Sequence, residues 1–174
     1  MIEGRAIIES IKKTRASVES LGGQFKSNYI GRDIIFLPER EDYNLSDDFV
    51  RVRVNIKSNW PTKRVILTRK QTDFREIGKV DNVILSEEFD TEEEAFSFIE
   101  KNLPEFQKGF EYEREGWQYQ LKHNRIFIED IKGWRPSVEI EAKSEEELKE
   151  LFDKIGILEL VKDSIPKIMR RILR

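Results

Sequence analysis

Cysteine is absent from this 174-residue chain, and histidine occurs once, at position 123. Disulfide frames, thiolate metal sites and thiol nucleophiles are thereby excluded. A single imidazole, placed between Lys122 and Asn124 where a hairpin turn is expected, has no second histidine to form a metal site or a relay, so His123 reads as a surface residue. The absence of cysteine makes a reducing, cytoplasmic setting the simplest expectation. No uncharged stretch approaches the ~20 residues that cross a bilayer, and the N-terminus lacks a secretory-type apolar run. No GxxxxGK[ST] phosphate loop occurs, and Gly22-Gly23 reads as a helix stop. Net charge is also small, at −3, so no overall field attracts polyanions. That small value conceals 31 basic and 34 acidic residues, 37% of the chain, and their placement becomes the question.

What is present reads as one α+β domain over residues 1–174, with about eight strands and four helices and no linker or repeat. Ile11, Thr14, Val18 and Leu21 recur at helical spacing after a short opening segment. "IGRDIIFL" is strand-like, "FVRVRVNI" alternates strictly, and "KRVILTRKQ" and "VILSEEF" add two more strands. Thr91 with Glu94 and Ser144 with Glu147 are capping boxes, each opening a helix. "GFEYEREGWQYQLKHNRIFIEDI" is a hairpin and "SVEIEA" a last strand, before Ser164 and Pro166 start a final helix through "KIMRRIL". That helix reads as docked with solvated arginines. Trp60, Trp117 and Trp134 are expected at strand ends or loops.

Side chains alternate along a strand, so "VRVRV" sets Val50 and Val52 against Arg51 and Arg53. The same split sets Val65 and Leu67 against Thr68 and Lys70, Ile126 and Ile128 against Arg125, Phe127 and Glu129, and Val138 and Ile140 against Glu139 and Glu141. An antiparallel sheet with one wet face explains any single strand of this kind. Recurrence of both charge signs over separated strands favours a closed eight-stranded antiparallel β-barrel with helices packed outside and an ionic interior. Such an interior requires counter-charges, water, metal or an anionic ligand. Guanidinium and ammonium groups match phosphate oxygens, while carboxylates suit Mg²⁺ or Mn²⁺, so the two together suit a polyphosphate.

The residues resemble, over nearly the whole chain and in order, the CYTH domain of the triphosphate tunnel family, which includes class IV adenylate cyclases, thiamine triphosphatases and inorganic triphosphatases. "ESIKKTRASVESLGGQF" looks like the family's first helix and turn, "RDIIFLPERED" like its next strand and loop, and "DDFVRVRV" like its LRLR strand. "VILTRKQ", "FIEDIKGW" and "SVEIEA" are similar to its later strands.

The resemblance implies that Arg51, Arg53 and Lys70 bind phosphate, with Arg114 a further cation. It implies that Glu139 and Glu141 bind metal and carry catalysis, with Glu129 standing where the family usually has Asp and Glu88 a looser metal-binding match. The ExExK signature falls on "MIEGR", with Met1 in place of the first Glu, Glu3 as the second, a metal ligand, and Arg5 in place of the Lys, on phosphate. Arg125, on the ionic face beside Glu129, joins the phosphate-binding set. Arg114 shares parity with the apolar Phe110 and Tyr112, which calls for a bulge or a local loss of strand geometry.

The implied activity is metal-dependent processing of a nucleoside or other triphosphate with Mg²⁺ or Mn²⁺, either hydrolysis or cyclisation of ATP. The alternative is a catalytically weak module that binds triphosphate, polyphosphate or a 5′-triphosphorylated RNA end. Nucleic acid enters only under that alternative, no membrane partner is expected, and a homodimer is left open.

Overall fold

A computed structural model describes residues 1–45, 48–58 and 64–174, with the backbone alone at 57 and 58; Trp60 lies outside the described residues. Along the chain run β1 (Ile2–Ile7), α1 (Ile11–Ser20), β2 (Gln24–Leu37), β3 (Asp48–Ser58), β4 (Val65–Phe74), β5 (Lys79–Phe89) and α2 (Glu92–Asn102). Then follow β6 (Gln107–Leu121), β7 (Asn124–Ile131), β8 (Ser137–Ala142), α3 (Glu145–Ile155), β9 (Glu159–Val161) and α4 (Ile165–Ile172). The hydrogen-bonded order is β5-β4-β3-β2-β6-β7-β8-β1-β9, and β5 also pairs with β1 through Lys79 and Glu3. Eight strands therefore form a closed cycle of pairing, as alternation of apolar and charged residues led us to expect. The ninth, β9, is an addition: its three residues pair with Arg5, Ala6 and Ile7 on the edge of β1 that β5 leaves open. Too short to show a period, it leaves no mark in the sequence pattern.

Contacts gather into two compact units, Met1–Tyr29 with Asp73–Val80 and Glu115–Lys162, and Ile30–Thr72 with Asp81–Arg114 and Asp163–Arg174. In the first unit, Ile126, Ile128, Val138 and Ile140 point from β7 and β8 into a core with Val18 of α1 and Leu148, Leu151, Phe152 and Ile155 of α3. Strand parity dictates this, since the residues between them are Glu139, Glu141, Phe127 and Glu129. The Ser144 hydroxyl accepts from the Glu147 N–H at 3.2 Å, and the Glu147 carboxylate accepts from the Lys143 N–H at 2.9 Å. This box fixes the start of α3, and Gly156 at φ 82° ends it. Gly4 lets the helix approach: a Cβ there would lie 2.9 Å from the Phe152 ring.

In the second unit, Val50, Val52 and Val54 of β3 and Val65 and Leu67 of β4 form a core with Ile34, Phe36 and the Ala95 and Ile99 face of α2. Register pairs Arg51 with Thr68, Arg53 with Ile66 and Phe49 with Lys70, placing these six on the opposite face from the valines. α4 is docked as its pattern predicts: Met169 is buried, and Arg170 donates to the Tyr43 and Glu41 carbonyls. Trp117 departs from the expectation, lying inside β6 against the first unit's core with the Arg15 guanidinium 5.4 Å from its ring. Among the described residues no helix is long and apolar enough to cross a membrane.

Phe152 is 2% exposed, and truncating it leaves a ring-sized cavity between α3 and β1. Phe152→Ala is expected to cost about 3–5 kcal/mol in urea unfolding. A loss below about 1 kcal/mol would show that the α3 face carries little of the first unit's stability.

Candidate functional site

The ionic faces of the two units each build a cluster. In the first unit, β1 lies against β8 with Glu3 opposite Glu141 and Arg5 opposite Glu139, and β8 lies against β7 with Glu141 opposite Arg125 and Ser137 opposite Glu129. Arg5 is 8% exposed and spends its fork on three acceptors: Nη1 donates to Ser137 Oγ, and Nη2 to Glu129 Oε1 and Glu139 Oε2, each at 2.8 Å. The other Glu129 oxygen accepts from the Tyr29 hydroxyl at 2.9 Å, so a carboxylate only 1% exposed is bonded on both oxygens. Gly116 makes room for the Tyr29 ring, which a Cβ there would strike. Glu141 accepts from Arg125 Nε at 2.6 Å, and Glu3 lies 3.2 Å from Lys79 Nζ.

In the second unit, Asp33 organises the cations. Arg53 donates Nε and Nη2 to its two oxygens at 2.7 and 2.8 Å, and Arg114 Nη1 stands 3.5 Å away. Burial would raise the Asp33 carboxyl, but Arg53 and Arg114, with Arg51, hold it well below the usual carboxylate range. Lys70 donates to Asp81 at 2.9 Å, and the Thr72 hydroxyl donates to the other Asp81 oxygen at 2.8 Å. Arg51 differs from its neighbours. Its Nε is buried without an acceptor, its guanidinium lies 5.9 Å from the Phe49 ring, and burial with the neighbouring Arg53 and Arg114 pushes its pKa down to about 10. Tyr112 stands among Asp33, Arg51 and Arg114, and its phenol is pushed up by burial and by Asp33. β6 is strand throughout at this point, and Tyr112 joins Arg114 on the ionic cluster because a buried tyrosine brings a polar tip as well as a ring, while Phe110 stacks on the Tyr112 ring with centroids 6.4 Å apart.

Of the residues singled out in the sequence, Glu3, Arg5, Arg125, Glu129, Glu139 and Glu141 thus meet in the first unit, and Arg51, Arg53, Lys70 and Arg114 in the second. Glu88 is placed elsewhere: it is exposed on β5, 3.8 Å from Arg64. Asp33, Asp81, Lys79, Tyr29 and Ser137 were not singled out. Asp33 sits in "GRDIIF", where its charge follows an arginine and carries no alternation signal, whereas Ser137 opens the "SVEIEA" strand and shares the parity of Glu139.

No protein-family model matches the chain, and no curated protein matches it in sequence. Solved structures do. The PH1819 protein of Pyrococcus horikoshii OT3 is similar with a TM-score of 0.79 at 16% identity, covering 98% of both chains. A candidate adenylyl cyclase of Hippeastrum with a dominant triphosphatase activity is similar with a TM-score of 0.71 at 15% identity, over 98% of this chain and 95% of that one. A Vibrio parahaemolyticus protein, also a candidate adenylate cyclase, gives 0.69 at 10% identity over 97% and 96%. The chain has the CYTH, or triphosphate tunnel, fold.

The divalent metal expected from the sequence resemblance can be tested against the donors of the first cluster. Its donors are carboxylate oxygens, which suit Mg²⁺ or Mn²⁺. Among the described residues, however, no three carboxylate or imidazole groups converge as a metal cage. Glu3 and Glu141 stand directly opposite each other across β1 and β8, two carboxylates of the kind and number that Mg²⁺ takes from a protein when other oxygens complete its shell.

Removing Arg5 leaves Glu129 buried beside a second carboxylate. Arg5→Met is expected to cost about 3–5 kcal/mol in urea unfolding at pH 7; a change under about 1 kcal/mol would mean that Glu129 is neutralised by other means. Asp33 generates a pH expectation. Its carboxyl is lowered on folding, so its stabilisation is complete above the unfolded value of about 4 and fades as pH falls below it. The stability lost in Asp33→Asn is therefore expected to be constant from pH 8 to 5 and to shrink below pH 4. A difference that grew on acidification would overturn the pairing.

Proposed function

We propose that this chain is an enzyme that processes triphosphates, using Mg²⁺ or Mn²⁺, by hydrolysis or by cyclisation of a nucleoside triphosphate. The observation that carries this reading is the second unit's cluster, in which Arg51, Arg53, Arg114 and Lys70 outnumber Asp33 and Asp81 two to one. Cations in excess of their carboxylates, held on strands, suit an anion with several charged oxygens. Likeness in fold to a Hippeastrum protein with triphosphatase activity supports the choice of a triphosphate.

Each residue has a part in this proposal. Arg51, Arg53, Arg114 and Lys70 bind and orient phosphate oxygens, and Asp33 and Asp81 fix the directions of Arg53 and Lys70. Glu139 and Glu141, with Glu3, hold the metal, whose chemistry when bound is to polarise a phosphoryl oxygen. Arg5 fixes the Glu139 carboxylate from one side, and Arg125 does the same for Glu141. Catalysis of this kind is chiefly positioning and charge stabilisation. Two observations favour a second reading, a triphosphate-binding module of low turnover: Met1 stands where the resembled ExExK pattern has a glutamate, and the Glu139 carboxylate is already engaged by Arg5.

The test is phosphate release and cyclic nucleotide formation from ATP, inorganic triphosphate and thiamine triphosphate with Mg²⁺ or Mn²⁺, beside a binding titration of each. Arg51→Ala and Arg53→Ala are expected to weaken binding by about 10- to 100-fold, the range of one charge-assisted contact. Glu139→Gln is expected to abolish metal-dependent turnover with binding retained. Tight binding with no turnover in the parent chain supports the second reading, and equal activity in all three variants overturns the site.

A further inference from the structure

Thr68 has had no part so far. It faces Arg51 directly across β3 and β4, on the ionic face, and its Oγ1 is buried without a partner. Opposed residues in an antiparallel pair hold their side chains about 5 Å apart at Cβ. Arg51 and Thr68 are therefore neighbours on one face, and each carries a buried hydrogen-bonding atom, Nε and Oγ1, that is not bonded to protein. A buried polar group without a partner is costly, and native proteins keep few of them. The adjoining cations do not share this condition: Arg53 is bonded to both Asp33 oxygens, and Lys70, one step along β4 from Thr68 on the same face, is bonded to Asp81. The cluster thus leaves Arg51 and Thr68 with donors to spend, in a place where Arg53 and Arg114 already crowd positive charge.

We propose that Arg51 Nε and the Thr68 hydroxyl together bind one non-bridging oxygen of a phosphoryl group, which makes Thr68 a ligand-contacting residue of the phosphate site. Both groups donate, so the oxygen they share is one that carries charge and no bridging bond. Their flanking cations, Arg53 and Lys70, are left to the remaining oxygens. This inference rests on the triphosphate reading above and goes beyond it by naming a neutral residue and the kind of oxygen it takes. It also explains why a threonine retains an unpartnered hydroxyl at a half-buried strand position where valine would fit by shape.

The experiment uses the full chain, inorganic triphosphate and a chelator, so that no metal contributes. Affinity is measured by calorimetry, and the melting temperature is measured without ligand. Thr68→Val is expected to bind about tenfold or more weakly than the parent, yet to melt no lower without ligand, because it removes a hydroxyl that nothing in the protein satisfies. Thr68→Ser, which keeps the hydroxyl, is expected to bind like the parent. Because the two donors share an oxygen, combining Thr68→Val with Arg51→Lys is expected to cost less than the sum of the single losses. Unchanged affinity in Thr68→Val, as when water alone meets the hydroxyl, overturns the inference while leaving the triphosphate reading in place. Equal weakening in Thr68→Ser, or strictly additive losses, overturns it too. Should Thr68→Val not fold, Thr68→Ala serves for the same comparison. No triphosphate binding by the parent chain sinks the reading itself, and this inference with it.

Discussion

A charge taken out of water costs several kcal/mol unless an opposite charge and hydrogen bonds replace the solvent. The alternating strands of this chain meet that condition repeatedly, because their apolar parity is occupied by core residues and the remaining parity is charged. The most buried carboxylates are the points from which the rest is arranged. Glu129 is bonded to Arg5 and Tyr29, Asp33 to Arg53 with Arg114 beside it, and Asp81 to Lys70 and Thr72. Each of these carboxylates fixes a cation in one orientation. An arginine gripped through two parallel hydrogen bonds, as Arg53 is by Asp33, has little freedom left to lose when it meets a second anion.

The same device yields opposite balances in the two units. Around Asp33 and Asp81 the cations are in excess. Around Arg5, among the described residues, the ion pairs gather four carboxylates, Glu3, Glu129, Glu139 and Glu141, with Arg5, Lys79 and Arg125. A cluster with surplus guanidinium groups favours an anion, and one with a surplus carboxylate favours a cation, which is the pair of preferences that a metal-assisted phosphoryl chemistry needs. The role of each cluster in the proposed activity follows from that sign.

Much of this was legible in the sequence because strand parity is a strong signal wherever apolar and charged residues alternate without interruption. "VRVRV", "RIFIE" and "VEIE" each predicted which side chains would lie in a core, and Val50, Val52, Ile126, Ile128, Val138 and Ile140 are fully buried. The capping residues Thr91, Ser144 and Ser164 likewise started helices where they were expected. The carboxylates that orient the cations of the second cluster were not legible. Asp33 and Asp81 reach Arg53 and Lys70 from the adjoining strand, 20 and 11 residues away in sequence, and a pairing between strands leaves no periodic trace in one chain. Tyr112 was misjudged because parity sorts residues into apolar and charged, whereas tyrosine belongs to both. In "LSEEF" two acids are adjacent, so alternation within that stretch cannot say which of them shares a face with Asp81, and Glu88 lies exposed beside Arg64.

Two departures from the resembled ExExK pattern, at Met1 and Arg5, bear on the chemistry of the first cluster. Met1 is 59% exposed and contributes no carboxylate, while Arg5 replaces the lysine of the ExExK pattern. A lysine there would be a compact point charge with rotatable donors; the arginine is a planar fork that meets Ser137, Glu129 and Glu139 at once. Arg5 is thereby committed to organising the carboxylates, and one Glu139 oxygen is committed to Arg5. On the proposed reading, the metal then depends most on Glu141 and on Glu3, which stands directly opposite it. Those two are paired with Arg125 and Lys79, of which Arg125 is half exposed and bonded to Glu141. An exposed cation is displaced at small cost compared with a buried one. On that reading the cluster divides into a fixed part, built on Arg5 and Glu129, and an exchangeable part, in which a divalent ion would compete with Arg125 for Glu141.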